Sequence, residues 1–158
     1  MKHRAIILAG GNVGDVAARF VEAERLLAER GVAIVARSQN DTSEAWGFES
    51  EQLFTNAAWE VETEREAEAL LDALQEVEAL LGRDREVERR VKEREGARYC
   101  SRSLDMDILL FDEEHIATER LKVPHPLIME RDFVITPLCE LLQCNKEALA
   151  QKIDEIYG

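Results

Sequence analysis

The sequence predicts an α+β fold, and three features of the chain predict it. Extended apolar runs and amphipathic helical runs follow each other as strand, helix, strand, and do so twice. Glycines close the runs at Gly10–Gly11, Gly31 and Gly82. With 158 residues, 46% of them hydrophobic, the chain can bury one substantial core, and a single domain over 1–158 is expected.

The first strand is "RAIILAGG" (4–11), an apolar run stopped by two glycines. Asp15 is placed to cap the next helix, where Val16, Phe20, Ala23 and Leu27 recur at helical spacing until Gly31. "VAIVARS" (32–38) reads as the second strand. "LFTNAAWEVET" (53–63) reads as the third, with Phe54, Asn56, Ala58 and Glu60 on one face and Thr55, Ala57, Trp59 and Val61 on the other. The helix over 66–82 carries its apolar stripe on Leu70, Leu71, Leu74, Val77 and Leu81. In "LDMDILLF" (104–111), alternation puts Leu104, Met106, Ile108 and Leu110 on one face and Asp105, Asp107, Leu109 and Phe111 on the other. Residues 116–123 suit a short strand pair or an edge segment. Short helices are expected over 129–132 and 137–143, and "KEALAQKIDEIYG" closes the chain. This order is the ferredoxin-like βαββαβ pattern, with helices on one face of an antiparallel sheet and C-terminal additions.

Charge narrows the function. The net charge is −13, from 33 acidic against 20 basic residues, a field that repels nucleic acid and anionic membrane. No apolar run approaches the length of a membrane span, and "MKHRAIILAGG" reads as a first strand rather than a leader. Cys100, Cys139 and Cys144 form no CxxC, so neither a disulfide framework nor a zinc site is suggested, and a cytoplasmic protein with reduced thiols is expected. One stretch reverses the overall sign: 83–101 holds seven basic residues (Arg83, Arg85, Arg89, Arg90, Lys92, Arg94 and Arg98) against five acidic ones. It suits either a solvated helix with internal ion pairs or a local site for an anion.

The two aspartates of the strand at 104–111 carry the chemistry. Residues i and i+2 of a strand point the same way, with Cα atoms roughly 6–7 Å apart. Like charges that close repel, and burying them alone is costly. Two situations relieve that cost: an edge strand with solvated carboxylates, or a divalent cation such as Mg²⁺ that keeps positions open for phosphate oxygens. Cations nearby point to the second. "ERLKVPHP" brings Arg120, Lys122 and His125 within six positions, and Arg131 follows. Each alone suits a surface or loop residue. Together with the carboxylate pair they suggest a metal–nucleotide site.

At this point a longer pattern is visible. "RSLDMDILLFDEEHIATERLKVPHP" (102–126) resembles the signature of the 6-hydroxymethyl-7,8-dihydropterin pyrophosphokinase family, approximately R-x-L-D-x-D-I-L-x-F, a variable hairpin, then L-x-V-P-H-P. "AGGNVGD" (9–15) is similar to the family's first turn, "TSEAWGF" (42–48) to its pterin loop, "FTNAA" (54–58) to its third strand and "FVITPLCEL" (133–141) to its C-terminal piece. The resemblance implies a ferredoxin-like α+β fold, ATP as co-substrate, two Mg²⁺ ions and release of AMP as pyrophosphate passes to the pterin hydroxymethyl group. It implies Asp105 and Asp107 as metal ligands and Arg102 as a catalytic contact to phosphate. It implies Gln75, Glu78, Arg83, Arg85, Arg98, Ile108, Arg120, Lys122, His125 and Arg131 around ATP. Thr42, Ser43, Ala45, Trp46, Phe54, Asn56, Tyr99 and Phe133 are implied around the pterin. Asn56 offers donor and acceptor to a pterin edge, and the two phenyl rings can stack on its faces.

Three positions depart from the family pattern. The first turn reads Gly10-Gly11-Asn12 where a serine is usual, Tyr99 stands near a usual tryptophan, and 83–101 is longer than in compact members. None of them removes a metal ligand. The chain is therefore expected to be a monomer that binds small molecules, with no nucleic-acid or membrane partner. The competing expectations are a catalytically silent nucleotide- or pterin-binding module and a metal-dependent phosphohydrolase.

Overall fold

The computed structural model describes residues 2–11, 16–43, 54–81, 104–126 and 128–157. The order of elements is β1 (His3–Gly11), α1 (Val16–Glu29), β2 (Val32–Arg37), β3 (Asp41–Ser43), β4 (Phe54–Thr63), α2 (Ala67–Leu80) and β5 (Asp105–Phe111), followed by the β6 (Ile116–Ala117) and β7 (Lys122–Val123) hairpin. A 3₁₀ turn (Ile128–Glu130), α3 (Asp132–Leu142) and α4 (Lys146–Tyr157) complete it. The main sheet runs β2-β4-β1-β5, antiparallel throughout, with β3 continuing the β2 side of β4. Each strand–helix–strand unit thus skips over a strand of the other, which is the expected ferredoxin-like arrangement.

Both faces of the sheet are covered: the two helices of the ferredoxin-like pattern lie on one, and the C-terminal additions cover the other. On the first face, Phe20 and Leu27 of α1 and Leu70, Leu74 and Val77 of α2 pack on Ile7, Trp59, Val61, Met106 and Ile108. Phe20 meets the Trp59 ring edge-on at 5.3 Å. On the second face, Val134, Ile135 and Leu138 of α3, with Leu149 and Ile153 of α4, pack on Ile6, Leu8, Ala58, Leu109 and Leu110. The C-terminal helices thus build the second, smaller core. Pro137 lies inside α3, which begins at Asp132 and runs on past it, so the short helix expected from 137 is the second half of a longer one. The proline removes only the amide that would bond the Phe133 carbonyl.

The alternation read along β5 also breaks. Ile6 pairs with Leu110 but Ile7 pairs with Ile108, so Leu109 is an extra residue bulged out of the ladder. Beyond it the faces exchange: Leu110 joins the second core and Phe111 the first, the reverse of the expected sides. Asp105 and Asp107 precede the bulge and keep their expected face.

Candidate functional site

One row of residues crosses the sheet at the end where β5 begins. Asp41 pairs with Asn56, Asn56 with Gly10, and Gly10 with Asp105. Paired residues of adjacent strands point to the same face. The next row inward is Ala58–Leu8–Asp107, and its Leu8 and Ala58 lie in the core under α3. Asp105, Asp107 and Asn56 therefore share the α3 face, at the margin where that core stops. Both aspartates are half-buried and Asn56 is buried. Two strand spacings separate Asn56 from Asp105, about 10 Å between backbones.

Gly10 makes that row usable. A Cβ on Gly10 would stand 2.6 Å from Oδ1 of Asn56. The asparagine amide thus leans over β1 in the direction of β5, across space that a side chain on β1 would fill. The sequence marks Gly10 only as part of a closing turn, whereas the structure places it inside the strand. A glycine inside a strand run is the signal for such a close approach.

α2 supports the aspartates from the opposite face. Its stripe buries Leu70, Leu74 and Val77, and one position later it brings Glu78 beneath β5. The carboxylate, 1% exposed, accepts the Met106 N–H at 2.7 Å. Among the described residues β5 is a sheet edge, where an N–H turned away from β1 meets no further strand. Glu78 fills that place and holds the peptide joining Asp105 to Met106, between the two carboxylates. Gln75, one turn earlier, is half-buried.

The segment after β7 brings the nearest cations. The peptide before Pro124 is cis, and the His125 N–H donates to the Leu109 carbonyl at 3.0 Å, which ties the histidine to the bulge of β5. Burial pushes the His125 imidazole below its ordinary range, the Arg131 charge pushes it further down, and Asp105 pulls it back up. His125, Arg131 and Asp105 are thus within electrostatic reach of one another. Arg131 precedes α3 and sets its guanidinium 5.6 Å from the Phe133 ring centroid. Phe133 packs at the edge of the second core.

Other expected residues stand elsewhere. Arg120 is drawn to the first half of α2, 2.5 Å from Asp72 and 3.8 Å from Glu68. Glu68 lies ten residues before Glu78, about 15 Å along the helix. The structure therefore does not bring Arg120 to the aspartates, because α2 offers it two closer carboxylates. Lys122 is exposed on β7, and the Ile108 side chain is buried in the first core, so only its main chain could meet a ligand. Thr42, Ser43 and Phe54 enter through their backbones, as partners in the β3–β4 ladder. Arg83, Arg85, Arg98, Tyr99, Arg102, Ala45 and Trp46 lie outside the described residues.

The donor set fits a hard cation. Two carboxylates two residues apart, on an edge strand and half-open, suit Mg²⁺ bound chiefly by water and phosphate rather than by a full protein cage. Among the described residues no cluster of three or more His, Cys, Asp or Glu could hold a metal.

The chain matches the family model of 7,8-dihydro-6-hydroxymethylpterin-pyrophosphokinase (HPPK) over residues 6–143. The chain belongs to the HPPK family. It is 37% identical over 157 residues to the 2-amino-4-hydroxy-6-hydroxymethyldihydropteridine pyrophosphokinase of Bacillus subtilis, covering 98% of this chain and 88% of that one. It is 37% identical over 139 residues to the protein of the same name from Methylorubrum extorquens, covering 87% and 82%. A solved structure described as HPPK-DHPS in complex with substrates superposes over 98% of this chain and 43% of that longer one, with a TM-score of 0.61 and 12% identity. That likeness concerns the fold.

Proposed function

We propose that this HPPK-family chain transfers pyrophosphate from ATP to the hydroxymethyl group of 6-hydroxymethyl-7,8-dihydropterin and releases AMP, a step of folate biosynthesis. The family match supports the reaction. The row Asp105–Gly10–Asn56 is the observation that supports the site, because it sets a carboxylate and a pterin-reading amide on one sheet face about two strands apart.

Asn56 holds the pterin through paired donor and acceptor, fixed by the room over Gly10. Phe133, with Arg131 over its ring, offers a face for stacking. Asp105 and Asp107 would hold two Mg²⁺, which neutralise phosphate charge and polarise the attacking hydroxyl. Their spacing is kept by Glu78 through the Met106 amide. His125, held neutral by burial, can donate to a phosphate oxygen without adding charge. Arg102, Arg83, Arg85 and Arg98 would supply cations to the ATP phosphates from 82–103. The hydroxyl attacks the β-phosphorus in line, AMP leaves, and no protein nucleophile takes part, since positioning and charge neutralisation carry such transfers. We place the enzyme in the cytoplasm as a monomer of one domain. Among the described residues no helix is long and apolar enough to cross a membrane.

The test is product analysis with ATP, Mg²⁺ and the reduced pterin. AMP formed only in the presence of pterin, and abolished by a chelator, is the expected result. ADP, or free phosphate released without pterin, would overturn the reading.

A further inference from the structure

α3 ends in a way that brings two thiols together. Gln143 adopts the left-handed conformation (φ 54°, ψ 49°). Its N–H reaches the Glu140 carbonyl at 3.3 Å, and the next N–H, of Cys144, reaches the Cys139 carbonyl at 3.0 Å. This is the paired bonding of a Schellman cap, in which the residues joined by the outer bond bring their side chains into contact. Here both of those residues are cysteines. Both side chains pack against the second core, and Cys144 is near enough to help push the Cys139 thiol up. Both are half-buried, and both line a surface cavity of about 580 Å³ with Glu140, Gln143, Asn145 and Ala148.

A pair of apolar side chains would serve the cap equally well, and cysteine can act as a small hydrophobe. Two cysteines joined by the cap at a solvent-reached surface add a reactivity that the cap does not need. We propose that Cys139 and Cys144 form a dithiol site that reacts with small-molecule disulfides and closes to an intramolecular disulfide. The Cys144 thiolate attacks one sulfur of the small disulfide. That S–S bond breaks, one small thiol leaves, and a mixed disulfide remains on Cys144. The Cys139 thiolate then attacks Sγ of Cys144, the protein disulfide forms, and the second small thiol leaves. Two protein thiols are oxidised, one small disulfide is reduced to two thiols, and the two thiol protons end on those products. The backbone already holds the two positions together, so closure needs little chain ordering. Burial, the neighbouring Cys144 and the Glu147 charge push the Cys139 thiol up, so closure accelerates as pH rises. In a reducing compartment the pair rests as thiols.

The site is independent of the transferase reading. The folded full-length Cys100→Ser variant, treated with 5,5′-dithiobis(2-nitrobenzoate), is expected to release two chromophore thiols per chain and retain no adduct. The fragment 132–146, bounded by Arg131 and Lys146 and holding both cysteines, is then expected to be lighter by two hydrogens. With Cys144 also replaced by Ser, a stable adduct on Cys139 is expected. Persistent adducts on both cysteines of the Cys100→Ser protein would overturn the proposal. So would closure no faster in the folded protein than in guanidinium, since the cap would then contribute nothing.

Discussion

The two ends of the main sheet treat charge in opposite ways. At the end where β1 begins and β5 finishes, opposite charges meet. His3 stands between Asp112, 2.7 Å from Nδ1, and Glu66, 3.3 Å from Nε2. Arg4 reaches Glu60 at 3.0 Å and Glu62 at 3.1 Å, and its N–H donates to Asp112 at 2.8 Å. At the other end, Asp105 and Asp107 set two like charges on one face, Asp105 in the row of Asn56 and Asp107 one row inward. The first arrangement satisfies itself within the fold. On our proposal the second is where a ligand adds positive charge, as a site for metal-bound phosphate would.

Breaking the second end should therefore abolish activity without loss of the fold. Asp105→Asn or Asp107→Asn is expected to lower kcat by about 10³-fold or more, the scale of losing a metal's charge stabilisation. Thermal melting should stay level or rise, because a like-charge repulsion is relieved. The matching change at the first end, Glu60→Gln, removes one partner of an exposed pair and should leave kcat within about twofold, with under about 1 kcal/mol of stability lost. Equal losses of kcat from both ends would erase the contrast.

Gly10→Ala probes the space between the two site strands. Its Cβ would stand 2.6 Å from Asn56 Oδ1, so the amide must move. We expect about 1–3 kcal/mol of destabilisation from overpacking and a pterin KM raised about tenfold or more. The ATP KM should change little. A pterin KM equal to wild type would show that the Asn56 amide does not read the pterin. Glu78 probes the support beneath the row. Glu78→Leu leaves the Met106 N–H buried with its acceptor gone, costing about 1–3 kcal/mol. It should lower kcat about tenfold, with ATP KM near wild type. Glu78→Gln, which keeps an acceptor oxygen, should recover most of the rate. A raised ATP KM in both variants would instead make Glu78 a nucleotide contact.

Much of this was legible in the sequence. Period-two and 3.6-residue patterns located β1, α1, β2, β4, α2 and β5 to within about two residues. The D-x-D spacing and the V-P-H-P segment point to the site proposed here. What the sequence could not show was set by partners remote in the chain. The bulge at Leu109 depends on pairing with β1, 103 positions away at Ile6, so strict alternation misplaced Leu110 and Phe111. β3 is three residues long and exists as a strand only because β4 extends past β2 to receive it. The ion pairs of Arg120 with Asp72 and Glu68 likewise join residues about fifty positions apart and appear only in the fold. Glu78 was legible as a site residue, but the amide that it holds appears only when α2 is laid under β5.

The smallest expected effect is at the first end, where pH should tune stability. The hydrogen bond to Asp112 raises the His3 pKa, burial opposes that, and Glu66 adds to the rise. Burial alone would raise Asp112, but the Arg4 amide and His3 outweigh it, so its pKa is lowered. The raised His3 pKa gives stability that is complete below the unfolded value near 6.5 and is lost as pH climbs through the folded value. The lowered Asp112 pKa gives stability present above its unfolded value near 3.9 and lost as pH falls through the folded one. The pair therefore contributes most between about pH 4.5 and 6 and declines on the alkaline side first. A double-mutant cycle of His3→Gln and Asp112→Asn, followed by urea unfolding, should give a coupling that is largest in that window and lost as pH climbs through the folded His3 pKa. Turnover of the single variants should keep the wild-type pH profile, since neither residue lies near Asp105. A coupling that does not change with pH would mean that the 2.7 Å contact is an ordinary neutral hydrogen bond, and the two ends of the sheet would then differ in geometry but not in how they use charge.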